Sequence, residues 1–313
     1  MDMNRFLFIF LDGVGLGENN PIINPFARAK IPTLNGLLEG KALLASSVPF
    51  FGAQASLLAL DAGLGVPGLP QSATGQATLL TGINVPGRLG YHYGPKPNQP
   101  VANFLKSGTL FSQIRDTGLR AGFLNAYPPR YFDAIATGHR LYSAIPLAVT
   151  SAGLSLFTER DLREGLALSA DFTGQGWRDH LNINQIPVLS PRKAGIRLAS
   201  LGETYDFSFF EYWLSDYAGH RQDMEQAVEL VELLDQVISS LVSKWDNDHG
   251  LILVTSDHGN MEDLSTRRHT NNPVPALLIG STRLREQFSV NLKALTDVAP
   301  AITRLLFDRN QLS

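Results

Sequence analysis

Three short, mainly apolar runs in this chain each lead into an aspartate. Phe6-Leu-Phe-Ile-Phe-Leu11 stops at Asp12-Gly13, the aromatic-rich stretch Asp206 to Leu214 is followed by Ser215-Asp216, and Gly250-Leu-Ile-Leu-Val-Thr-Ser256 leads into Asp257. Each run is far shorter than the ~20 apolar residues a membrane helix needs. None alternates apolar with polar, as a strand wetted on one face would. They read as strands buried on both faces, which is the habit of parallel sheets covered by helices. Arg120 to Asn125 and Val274-Pro-Ala-Leu-Leu-Ile-Gly280 extend the set. From about Gln222 to Trp245, Ala227, Val231, Leu234, Ile238 and Leu241 recur at helical spacing, which makes a face for packing on a sheet. Thr296 to Phe307 predicts a closing helix. Strands alternating with amphipathic helices predict an α/β fold with a mostly parallel sheet between helical layers.

The length of 313 residues is more than one ordinary domain needs. Residues 87–100 are rich in Gly and Pro, and the pattern stays irregular to about 189. The expected division is therefore a core of residues 1–86 and 190–313 around an inserted cap, 87–189. A hydrophobic content of 44% against 18% charged residues excludes a disordered chain. The net charge of −3 argues against a nucleic-acid partner. The opening apolar run is too short for a signal peptide. A soluble, cytoplasmic protein with no membrane partner is the expectation, and the sequence leaves its oligomeric state open.

With no cysteine in the chain, thiolate metal sites and cysteine nucleophiles are excluded, and any metal site must draw on seven histidines and the carboxylates. Four segments at predicted strand ends or helix starts supply such groups, and ligands of open α/β sheets bind at carboxyl ends of strands. In Asp12-Gly13-Val-Gly15-Leu-Gly17, a dinucleotide fingerprint would need a sixth-position glycine where Glu18 stands, and Asp12 would repel a pyrophosphate. A capping or a metal-ligating Asp12 remains. Ser72-Ala-Thr74-Gly-Gln opens a short predicted helix ended by Gly82. Either hydroxyl there is a helix cap or a nucleophile at the positive helix end. Asp216 and His220 stand four apart and can serve one cation or each other. Asp257-His258, followed by His269-Thr270, would place an acid and a base where both are partly desolvated, and such groups need partners. A mixed set of three carboxylates and three histidines suits Mn²⁺ or Zn²⁺ better than Ca²⁺ or Mg²⁺.

Asp12-Gly, Ser72-x-x-Gly75, Asp216-x-x-x-His220, Asp257-His258-Gly-Asn and His269-Thr, taken in order, resemble the alkaline phosphatase superfamily. The nearest branch is that of the cofactor-independent phosphoglycerate mutases and phosphopentomutases. The resemblance spans residues 5–86 and 190–308. It implies the alkaline-phosphatase-like three-layer core with a small inserted cap, and two divalent cations. One cation would be held by Asp216, His220 and His269, and the other by Asp12, Asp257, His258 and the Ser72 oxygen. It also implies a phosphorylated serine or threonine, with Ser72 ahead of Thr74. Two departures stand out. Gln76 replaces the histidine that follows the glycine in those mutases, and the segment available to grip a substrate is shorter than theirs. No counterpart of their arginine-rich substrate motif is evident. Of the cap's basic residues, Arg130 and Arg140 are the favoured phosphate contacts.

The reaction so implied is phosphoryl transfer from a small phosphate monoester through a phosphoseryl intermediate. A phosphatase is expected ahead of a phosphomutase, because a mutase must enclose its intermediate and the cap is small. A sulfatase is disfavoured, because Ser72-Ala-Thr74 lacks the Cys/Ser-x-Pro-x-Arg context. A non-enzymatic metal-binding protein and a dinucleotide oxidoreductase are the remaining alternatives. His92, His139, His180 and His249 are not expected as ligands.

Overall fold

The computed structural model describes residues 5–307; the outer ends of the expected core, residues 1–4 and 308–313, lie outside the described residues. Seven strands form one sheet: β1 (Arg5–Leu11), β2 (Phe50–Phe51), β3 (Ala55–Leu60), β4 (Ala121–Phe123), β5 (Phe207–Tyr212), β6 (Gly250–Thr255) and β7 (Val274–Ile279), in the order β2-β3-β7-β6-β1-β5-β4. Strands β6, β1, β5 and β4 pair in parallel, while β7 runs antiparallel to both β6 and β3. The sheet is thus mostly parallel in strand direction.

The apolar runs are continuous because both faces are covered. Phe6, Phe8, Phe10, Phe207 and Phe209 pack on one side with helices Ser72–Thr81, Gln99–Ser107, Leu110–Asp116, Ala144–Ser151 and Val298–Phe307. Leu7, Ile9, Leu11, Phe210 and Tyr212 pack on the other with helices Pro191–Gly202 and Met224–Val242. The predicted stripe Ala227, Val231, Leu234, Ile238 and Leu241 is the buried face of that last helix. These are the three layers that the residue pattern predicts.

Strands β2 and β3 have no counterpart in the sequence reading. Ala55-Ser-Leu-Leu-Ala-Leu60 lacks β-branched and aromatic residues, and a short run of that kind does not distinguish strand from helix. The 87–189 stretch is more deeply joined to the core than a detached cap would be. Its strand β4 is the sheet's edge, paired with β5, and Val101, Leu105, Phe111, Ile145 and Val149 belong to the same buried cluster as β1. What stands apart is a small cluster of Ala126, Leu162, Ala167, Trp177 and Ile186. Among the described residues, no helix is long and apolar enough to cross a membrane.

Candidate metal centre

Three adjacent parallel strands, β6, β1 and β5, bring their carboxyl ends to one place. There they deliver Asp257 and His258, Asp12, and the helix Leu214–Arg221 carrying Asp216 and His220. On that helix Asp216 and His220 share a face, with His220 Nε2 3.2 Å from Asp216 Oδ2. The loop after β6 returns His269, whose Nε2 lies 3.6 Å from Asp216 Oδ1 and 3.3 Å from His220 Nε2. His258 Nε2 lies 3.4 Å from Asp12 Oδ1 and 3.6 Å from Asp257 Oδ2. The His258 and His269 rings stack at 3.7 Å and join the two groups. Ser72 opens the helix Ser72–Thr81, with its Oγ 3.0 Å from His258 Nε2.

Thr74 is not part of this cluster. Its hydroxyl donates to the carbonyls of Gln71 and Tyr93 and accepts from the Tyr93 amide, two residues round the helix from Ser72. Every other predicted ligand is brought together: Asp12, Ser72, Asp216, His220, Asp257, His258 and His269. Among the described residues, the groups close enough to share one ion are Asp216, His258 and His269, and Asp12, Asp257 and His258; His220 belongs to neither, nor do His92, His139, His180 and His249.

The donor set fits divalent cations. His220 Nδ1 and His269 Nδ1 each lie 2.7 Å from a backbone carbonyl, those of Arg267 and Pro70. A carbonyl only accepts, so each Nδ1 carries a proton, and the two Nε2 atoms meet 3.3 Å apart beside Asp216, whose hydrogen bond raises the His220 pKa. A cation bound here would displace the Nε2 proton and take its place between His220, His269 and Asp216. Asp12 Oδ1 is likewise buried without a hydrogen-bond donor.

The electrostatics agree. Burial raises Asp12 above the usual carboxylate range, and burial with the Asp12 charge raises Asp257 well above it. Burial also works against charge on His258, but Asp257, Asp12 and Asp216 outweigh it and lift that imidazole to about 10. Burial, then the neighbouring His258 charge, pushes His269 down to about 4. Asp216 is held at about 2, because the His220 hydrogen bond, the His258 charge and the Asn260 amide outweigh burial. Three acids crowded out of water call for positive charge, and in this cluster only His258 supplies it strongly.

Several functional neighbours escaped the sequence reading. Gln76 Nε2 donates to both Asp12 Oδ2 (3.3 Å) and Asp257 Oδ2 (3.2 Å), holding two acids apart without adding charge. Asn260 Nδ2 donates to Asp216 Oδ1 at 2.7 Å. Glu262, 1% exposed, is a buried carboxylate bonded to the surrounding loops. Its signal in the sequence was only its position, four residues after His258. The glycines of the first segment serve close packing, not phosphate binding. Gly13 has φ +67°, and a Cβ there would lie 2.5 Å from Asp216 Oδ1.

Beside the centre, Glu211 of β5 is buried and accepts from Tyr127 Oη at 3.2 Å. Tyr127 stacks near Tyr131 (4.3 Å), over which Arg140 places its guanidinium at 4.8 Å. Both favoured cap arginines are exposed, and of the two it is Arg140 whose guanidinium lies over the Tyr131 ring. Burial, then the Asp12 charge, raises Glu211 from 4.5 to about 8. Between those pH values the folded state holds a proton that the unfolded state has released. Stability therefore falls as pH rises from about 4.5 to about 8, by at most roughly 5 kcal/mol at ~1.36 kcal/mol per unit. Glu211→Gln should flatten this fall and leave the chain relatively more stable at pH 8 than at pH 5. Denaturant midpoints across that range, compared with the parent, check it; parallel profiles would contradict the assignment.

Fold and site together resemble those of metalloenzymes of the alkaline phosphatase superfamily. Residues 192–307 match the family model described as the metalloenzyme superfamily. A curated relative, the 2,3-bisphosphoglycerate-independent phosphoglycerate mutase of Desulforudis audaxviator (strain MP104C), is 33% identical over 126 residues, covering 38% of this chain and 24% of the relative. The chain thus matches only about a quarter of the length of the first such relatives, at 22% and 24%. Among solved structures, Leishmania mexicana phosphoglycerate mutase shares the fold with a TM-score of 0.51 and 13% identity, over 97% of this chain and 95% of that one. Alkaline phosphatase from the Antarctic bacterium TAB5 does so at 0.52 and 10%, over 98% and 99%.

Proposed function

We propose that this chain is a metal-dependent phosphatase that acts on a small phosphate monoester through Ser72. The observation that carries the reading is the Ser72 hydroxyl, set at a helix start and 3.0 Å from His258 inside a cluster of three acids and three histidines. Asp216, His220 and His269 would hold one divalent cation, and Asp12, Asp257, His258 and Ser72 Oγ the other, Mn²⁺ or Zn²⁺ by donor chemistry. Such cations supply Lewis-acid neutralisation of phosphoryl charge and a lowered hydroxyl pKa.

The chain's own residues do the rest. Ser72 Oγ forms a bond to phosphorus as the ester oxygen leaves and takes up a proton. The start of the Ser72–Thr81 helix directs its positive end at the phosphoryl oxygens. Water then cleaves the serine–phosphorus bond and releases phosphate. Hydrolysis is favoured over internal transfer because so much of the 87–189 stretch is built into the core. Little chain is left to enclose a dephosphorylated intermediate. The mutase reading is the second one, favoured by the names of the curated relatives.

Incubation with a set of phosphorylated sugars and acids, followed by phosphorus NMR, separates the two. The expected result is inorganic phosphate appearing as fast as substrate disappears, and complete loss of turnover after chelation. An isomerised phosphate ester with no free phosphate would favour the mutase. Turnover that survives chelation would sink both.

A further inference from the structure

Glu262 ties together loops that carry ligands of both proposed cations. Its Oε2 accepts from the amides of Gly15 (2.8 Å) and Asn260 (2.7 Å), and its Oε1 from the Thr270 hydroxyl and from Asn272 Nδ2 (3.1 Å). Gly15 stands three residues after Asp12, and Asn260 two after His258; both ligands belong to the cation beside Ser72. Thr270 follows His269, and the Asn260 side chain bonds Asp216, so these two contacts reach the ligands of the other cation. The turn is further pinned by the Met261 amide on the Gly13 carbonyl (2.9 Å) and by the Thr270 amide on the Gly259 carbonyl (2.9 Å). Room for the carboxylate exists because residue 15 is glycine: a side chain there would collide with Oε1. A carboxylate that is 1% exposed is costly to bury, and four donors, one from the loop after β1 and three from the β6–β7 loop, offset that cost.

We infer that Glu262 is a positioning residue that couples the two cation half-sites, so that loading one orders the loops of the other. The physical route is shared ordering. The first cation fixes the loops through Glu262, and the second then meets ligands already in place. Repulsion between the cations opposes this but does not pass through Glu262, so the residue's share appears as a difference between variants. The inference rests on the two-cation reading of the site and not on which reaction occurs there.

The test is calorimetric titration of chelator-stripped full-length protein with Mn²⁺, and separately with Zn²⁺, read as stoichiometry and as the ratio of the second to the first dissociation constant. Glu262→Gln removes the charge yet can keep its oxygen on the two amides and offer its NH₂ to Thr270 and a turned Asn272. It should weaken both steps alike and keep the ratio. Glu262→Ala should raise the ratio about tenfold, within the usual ~5–150-fold span of coupling between sites. Thr270→Val, which deletes a single hydroxyl bond on the His269 side, should raise it in the same direction if the alanine variant does not fold. A ratio unchanged in Glu262→Ala or Thr270→Val, or one altered equally by Glu262→Gln, overturns the coupling role while leaving the two-cation reading intact. A parent stoichiometry below two overturns that reading and the coupling with it.

Discussion

Ser72→Ala should abolish phosphoryl transfer from a generic aryl phosphate, by on the order of 10⁴-fold or more in kcat, while the protein still takes up Mn²⁺ or Zn²⁺. The size follows from removing the hydroxyl that lies 3.0 Å from His258 in the acid–histidine cluster. Retained metal uptake follows because no carboxylate or imidazole of the cluster is changed: Asp12, Asp216, His220, Asp257, His258 and His269 all remain. Thr74→Val is the matched control. Its hydroxyl serves the Gln71 and Tyr93 backbone, so that variant should lose stability, by about 1–2 kcal/mol, and keep kcat within a few-fold. Initial rates with metal analysis on the same samples decide the matter. Full activity in Ser72→Ala with loss in Thr74→Val would reverse the nucleophile assignment.

Asp257→Asn should reverse the order of stability with conditions. Asp257 is fully buried, beside Asp12, and burial holds its carboxyl well above the usual range. A carboxyl raised in this way carries no penalty below its unfolded pKa, and the full penalty once pH exceeds the folded one. At pH 8 in a chelator, the neutral asparagine should therefore melt higher than the parent, by a few degrees. With saturating Mn²⁺ the order inverts, because the parent gains binding free energy that the variant, short of one anionic ligand, does not. Metal affinity should drop at least ~100-fold and activity with it. Thermal melts with and without chelator test this. A variant less stable than the parent under both conditions would show that Asp257 is a structural group and not one held ready for a cation.

How far the sequence reached can be judged residue by residue. The apolar runs that end on Asp12, Asp216 and Asp257 were legible because burial on both faces erases alternation, and that signal is local. The spacing of Asp216 and His220 was legible because one helical turn is also local. Strand β3 was not, since its leucines and alanines fit a helix as well as a strand. The placement of β4 was not, since its partner β5 lies far along the chain. The contacts of Gln76, which the sequence marked only as a departure, and the whole role of Glu262 were invisible for a related reason. Neither a helical glutamine nor a glutamate in a loop carries a pattern, and their roles arise only when segments distant in sequence meet. The choice of Ser72 over Thr74 needed the helix phase, which turns the two hydroxyls to different sides.

The parallel pairing of β1 between β5 and β6 has a consequence for how the molecule comes into being. Phe6 pairs with Phe207 and Leu251, so β1, once synthesised, waits roughly 200 residues for the neighbours that flank it. Until then a phenylalanine-rich segment has nothing to pair with, and Asp12 stands far from the other acids. Closure of the sheet is thus a late event of high contact order, and the electrostatic cost of crowding the acids falls due only at that moment. A divalent ion arriving then would act on the folding barrier as well as on the finished fold.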